Sequence, residues 1–143
     1  MTTKAGVALS RLSSSHEAGV AAAAEAMGKL GGADADIVFV FASPAHEYAP
    51  LLKGIRSVTG SARVVGCSAA GEFTGAEVAH DAVTVMAIKS DAIRFVVGMG
   101  RGLKASPQRA VAEAMRSYTT EYRAARGAGF PNSTCIVLSD GLA

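Results

Sequence analysis

Apolar positions along the chain fall into runs of two kinds, continuous and helically spaced. "AGVAL" (5–9) is a short apolar run that reads as a first strand. "SSSHEAGVAAAAEAMGKLGG" follows with Val20, Ala23, Ala24, Met27 and Leu30 on one helical face. Ser14 and Glu17 are spaced as a capping box, and Gly31 and Gly32 close that helix. "DIVFVFA" (36–42) is continuously apolar, the pattern of a strand covered on both faces. "SPAHEYAP" reads as a loop, with Pro50 the first residue of a second helix. Leu51, Leu52, Ile55 and Val58 are its buried face, and Gly60 ends it.

"ARVVG" (62–66) is a third strand that runs into a turn of small residues. "DAVTVMAIKS" (81–90) and "IRFVVGMG" (93–100) have only a short turn around Asp91 between them, which predicts an antiparallel hairpin. "SPQRAVAEAMRSYTTEYRAARG" predicts a long helix: Ser106 caps it, Pro107 opens it, and Val111, Ala114, Met115, Tyr118 and Tyr122 recur at helical spacing. "TCIVLS" (134–139) reads as a final buried strand. The order β-α-β-α-β-β-β-α-β predicts an α/β fold in one domain, 1–143, with a mixed, largely parallel sheet and helices on its faces. A layered αββα sandwich is the alternative, should the hairpin peel off into a second sheet.

Composition narrows the function classes. Of the 143 residues 50% are hydrophobic and 18% charged, which suits a globular chain with a real core. Net charge is only +2, from 14 basic and 12 acidic residues, and the arginines form no run, so nucleic acid is not an expected partner. Cys67 and Cys135 stand far apart in unlike contexts, which predicts a reducing compartment and not a disulfide scaffold. No apolar run approaches the ~20 residues of a membrane span, and "MTTKAGVALSRL" lacks a secretory apolar segment. A cytoplasmic location without membrane contact is expected.

The stretch "RVVGCSAAGEF" (63–73) holds the candidate chemistry. Gly66 and Gly71 have phosphate-loop spacing, but Glu72 and Phe73 replace the Lys and Ser/Thr that such a loop needs. Gly98, Gly100 and Gly102 are out of step with a dinucleotide loop, and the next helix starts well past them. "GCSAA" departs from a serine-hydrolase elbow at Ala70, and glycine-rich sequence follows where a helix should start. Cys67 as a nucleophile, with His46 or His80 as base, leaves a cysteine-dependent hydrolase or transferase as an alternative; otherwise Cys67 simply fills the turn. The three histidines share no metal-site spacing, but a single axial haem ligand needs only one of them.

Ligands of open parallel sheets bind beyond the carboxyl ends of the strands. There, strand two delivers Ser43, His46 and Tyr48, strand three delivers Gly66, Cys67, Ser68, Gly71 and Glu72, and the last strand delivers Ser139 and Asp140. Small residues at 66–71 leave room, and turn N–H groups can cradle an anion. Convergence of three loops predicts a pocket.

"FVFASPAHEYAPLLKGIRS", "ARVVGCSAAGEFTG", "HDAVTVMAIKSDAIRF" and "CIVLSDGLA" resemble, in order and spacing, the N-terminal part of the FIST sensory domain. The resemblance runs from about Gly6 to the end, and G-C-S-x-x-G-E is its most specific piece. It implies an intracellular sensory input module and not an enzyme. It also implies a small ligand, amino acid-like or anionic, with haem and nitric oxide sensing in some members; in that case His46 and His80 are the haem candidates. Signalling partners of the kind implied are histidine kinases, methyl-accepting proteins and cyclic-dinucleotide enzymes. A protein-interaction module without a small ligand is a further alternative. The family pattern continues beyond "DGL", so strand 134–139 is expected to have a bare edge and the chain to form a homo-oligomer.

Overall fold

The computed structural model describes residues 1–139, which divide after Ala92 into two compact units. The first unit carries β1 (Thr3–Ser10), α1 (Ser15–Gly28), β2 (Ile37–Ala42), α2 (Tyr48–Thr59), β3 (Arg63–Ser68), β4 (Glu72–Phe73), β5 (Val78–Ala79) and β6 (Val83–Ser90). The second carries α3 (Pro107–Gly127). The fold is α/β with a mixed four-stranded sheet in the order β1-β6-β2-β3, and β4 and β5 form a separate two-stranded ribbon.

Crossover through α2 makes β2 and β3 parallel neighbours, from Ile37 opposite Arg63 to Ala42 opposite Ser68. That pairing is the parallel part of the sheet. β6 enters between β1 and β2 and runs antiparallel to both. This insertion corrects the expected hairpin. With β1 on one side and β2 on the other, β6 has no free row of N–H and C=O groups for residues 93–100, which form no strand. Within the second unit their end lies against α3 instead: a Cβ on Gly100 would stand 1.8 Å from the Ala110 carbonyl oxygen.

Residues 134–139 also form no strand, and Ile136 and Val137 are 69% and 76% exposed. Apolar β-branched sequence favours a strand only where a neighbour supplies hydrogen bonds and a packing face. The open edges belong instead to β1 and β3, whose hydrogen-bonded neighbours among the described residues are β6 and β2. The αββα alternative is not what forms, since the second sheet is a ribbon of two-residue strands.

Val38, Val40 and Ala42 of β2 and Val83, Val85 and Ala87 of β6 face the helices and pack with Ala18, Ala22, Ala23, Ala26, Leu51 and Ile55. The helices themselves touch through backbone. A Cβ on Gly19 would meet the Leu51 carbonyl oxygen at 2.5 Å, and one on Gly54 the His16 carbonyl oxygen at 2.3 Å. This seam corrects the expected face of α1. Ala18, Gly19, Ala22, Ala23 and Ala26 are buried, Ala24 is exposed, and Val20 and Met27 are half-buried. In a helix that is alanine almost all round, apolarity does not select a face; close approach to α2 does.

Helix ends follow the sequence in part. Ser14 occupies the N-cap of α1, but its side chain makes no cap hydrogen bond, so the capping box with Glu17 is not formed. α2 starts two residues before Pro50, which still lies in the first turn, where a missing N–H costs no helical bond. Leu51 and Ile55 are buried as expected, whereas Leu52 is 43% exposed. Gly60 ends α2 with φ +57. Ser106 caps α3 by accepting from the Arg109 N–H at 3.3 Å, and Pro107 opens the helix. On α3, Arg126 donates to Tyr122 Oη at 3.4 Å. That bond, with a second from Ser133, holds the phenol below its ordinary range.

Two substitutions probe this arrangement. Gly54→Ala forces a methyl group into the α1–α2 seam and should lower stability by about 2 kcal/mol, read as a fall in the urea midpoint. Ile136→Lys should change it by no more than about 0.5 kcal/mol, because the residue is already exposed.

Candidate functional site

Register places four strand ends level with one another. Ser10 ending β1 lies opposite Val83 at the start of β6, Val83 lies opposite Ala42 ending β2, and Ala42 lies opposite Ser68 ending β3. The segments leaving β2 and β3 therefore meet the one entering β6. Hydrogen bonds tie them together. The Ser43 N–H donates to the Ala82 carbonyl at 3.0 Å, and the Ala69 N–H to the Ala42 carbonyl at 2.9 Å. Ser43 Oγ donates to Asp81 Oδ1 at 3.1 Å and accepts from the Ala45 N–H at 3.2 Å. The His46 N–H donates to the Ser43 carbonyl at 3.1 Å. His46 Nδ1 lies 3.4 Å from Ser15 Oγ, which also accepts from the Glu47 N–H at 3.0 Å.

Glu72 joins this edge from the β4–β5 ribbon. It is 1% exposed, and its Oε2 accepts from the Ala82 N–H at 3.2 Å. Its other oxygen, Oε1, is buried without a partner among the described residues, as is His46 Nε2. Thr84 Oγ1, a third such atom, lies one residue into β6, on the face turned away from the helix-facing Val83 and Val85. Leaving a buried polar group unmatched costs about 1–3 kcal/mol, and more for a charged one. At the far end of the ribbon Arg11 pairs with Glu77 and also donates to the Val78 carbonyl at 3.3 Å. Phe73 and Val78, opposite each other, are each 72% exposed.

The expected site residues thus separate by burial. Ser43, His46 and Glu72 are buried together, Gly71 is half-buried, and Tyr48, Gly66, Cys67, Ser68 and His80 are exposed. Asp140 lies outside the described residues. Gly66 has a structural task of its own: a Cβ there would come within 1.8 Å of the Val40 carbonyl oxygen, so its smallness lets β3 lie against β2. Gly71 differs, since a Cβ there would make ordinary contact with His80 at 3.7 Å.

Neither His46 nor His80 is hydrogen-bonded to Cys67 among the described residues, so the geometry pairs this thiol with no base. The histidines do not fit haem either. His46 is buried with one ring nitrogen on Ser15, and His80 is exposed beside Gly71, so neither presents a nitrogen to an open apolar cleft. Among the described residues no group of three or more His, Cys, Asp or Glu could hold a metal ion. A depression of about 380 Å³ in the second unit is lined by Arg101, Gly102, Ala105, Ser106, Arg109 and Glu113, none of them edge residues.

Sequence reasoning missed Asp81, Ser15 and Thr84. Asp81 has φ +53, the one left-handed non-glycine among the described residues, and its bond from Ser43 holds it there. An Asp just before a strand signals such a turn. Ser15 and Thr84 left no sequence signal, because their roles depend on neighbours 31 residues away in one case and on burial in the other.

The family model for the FIST N domain matches residues 36–143. The chain belongs to the FIST N family. The match takes in β2, β3, the G-C-S-x-x-G-E turn, the ribbon and β6, and leaves β1 and α1 outside it. FIST domains are sensory, ligand-binding modules of signalling proteins. No curated protein matches the chain. No helix of the described FIST residues is long and apolar enough to cross a membrane.

In this FIST domain Gly66→Ala should be strongly destabilising, by more than about 2 kcal/mol, and Gly71→Ala should change stability by less than about 0.5 kcal/mol. Paired urea melts measure both. Asp81→Asn, which tolerates the left-handed turn and keeps an acceptor for Ser43, should stay close to wild type, while Asp81→Val should lose about 1–3 kcal/mol.

Proposed function

We propose that this FIST domain is an intracellular sensory module that binds a small molecule at the carboxyl edge of β2 and β3, and that it is not an enzyme. The observation that carries the reading is the Glu72 carboxylate: buried, anchored on Ala82 by one oxygen, and partner-free at the other. Glu72, with one buried oxygen unpartnered, and His46, with Nε2 buried and unpartnered, both belong to the edge where α/β sheets receive ligands, which supports this reading. Tyr48, Gly66, Cys67, Ser68 and Gly71 surround that edge on the surface side in this reading, and Asp140 follows from the sequence alone. Output passes to a signalling partner such as a histidine kinase, a methyl-accepting protein or a cyclic-dinucleotide enzyme. The open edges of β1 and β3 offer surfaces for self-association into a homo-oligomer.

Thermal-shift screening against small amines, amino acids and carboxylates tests the reading. A ligand at ~100 times its Kd stabilises by about 2.7 kcal/mol, a shift of several degrees for a chain of this size. Amide chemical-shift changes should then centre on Ser43, His46, Glu72 and Ala82. Changes confined to 101–113, or no stabilisation by any compound, would sink the proposal. Turnover of an activated ester that disappears in Cys67→Ser would favour the enzyme reading instead.

A further inference from the structure

We infer that the group this edge recognises is a cationic N–H donor, a primary ammonium or a similar group, and that Glu72 Oε1 is its acceptor. The inference rests on the reading above and specifies its chemistry. A carboxylate accepts at both oxygens, and in Glu72 only Oε2 is engaged, by the Ala82 N–H. Two other carboxylates border this edge and the ribbon. Asp81 lies next to Ala82 and is held by Ser43, while Glu77 at the other end of the ribbon already has Arg11 as its partner. Neither Ser43 nor His46 is hydrogen-bonded to Glu72 among the described residues. The backbone donors that could have held an anion are partly engaged: the N–H groups of Ser43, Ala45, His46, Ala69 and Ala82 all have acceptors. What Glu72 Oε1 lacks is a donor, and a charged donor matches a carboxylate best.

Access follows from the position of Glu72 on β4. The ribbon pairs only two residues of each strand, Glu72 with Ala79 and Phe73 with Val78. In this inference the ribbon must lift for a ligand to reach the buried oxygen.

The test is an NMR titration of the full chain with methylammonium chloride, which has both charge and N–H donors. Tetramethylammonium chloride supplies charge without donors, and sodium acetate supplies an anion. Methylammonium should shift the Ala82 and Ser43 amides saturably, the two other salts should not, and Glu72→Gln should weaken the response at least tenfold. Should Glu72→Gln fail to fold, Asp81→Asn serves: it removes a neighbouring negative charge and should weaken methylammonium binding several-fold at low salt. Acetate shifting those amides while methylammonium does not would overturn the inference and leave the edge standing as a site. An unchanged response in either variant, or equal response to tetramethylammonium, overturns it as well. Silence of these amides toward all three salts overturns it too, and only silence across the whole screening panel would take the site with it.

Discussion

The insertion of β6 between β1 and β2 is the constraint from which the rest of the first unit follows. A central antiparallel strand has both of its hydrogen-bonding edges filled, and here they are filled by β1 and β2, both far back along the chain. That insertion turns a plain βαβ crossover into a mixed sheet. It also leaves β6 no edge for residues 93–100 to pair with and carries Ala82 to the ends of β2 and β3. Ala82 then anchors both sides of the candidate site, through its carbonyl to Ser43 and through its N–H to Glu72. Had β6 joined at the outer edge of β3, neither contact would exist.

Close backbone approach is the second organising feature, and it accounts for residues that otherwise look featureless. Gly19 and Gly54 bring α1 and α2 into contact, so small alanine side chains suffice to fill the layer above β2 and β6. Gly66 does the same between β3 and β2. Substitution of any of these glycines would press a methyl group against a carbonyl oxygen, and a packed interior has few voids to absorb it. Gly66 and Gly71 therefore differ: packing against β2 requires a glycine at 66, whereas a Cβ at 71 would make only ordinary contact.

Burial of Glu72 is hard to explain as a device for stability alone. One backbone N–H is a thin reward for removing a carboxylate from water, and replacing a buried polar group by an apolar one is often neutral or favourable. A sensory module has a reason to keep such a group, because a site that is under-satisfied when empty gains most from the molecule that completes it.

Much of the fold was legible in the residues themselves. The continuous apolar run 36–42 marked a strand buried on both faces, and the spacing of strand, helix and strand through 36–66 marked a parallel pair. Ser106 with Pro107 marked the start of α3, and Gly60 marked the end of α2, because caps depend on local backbone chemistry. The G-C-S-x-x-G-E turn likewise pointed to the sheet edge before any coordinates did. What sequence could not decide was partnership. Whether 93–100 pairs with β6 depends on a free edge of β6, and which face of α1 is buried depends on where α2 lies. That Glu72 turns inward to Ala82, and that His46 meets Ser15, are facts about residues ten and thirty-one positions apart. Short-range pattern encodes local propensity; only tertiary packing chooses which hydrogen-bonding groups meet and which buried atom is left waiting for a partner.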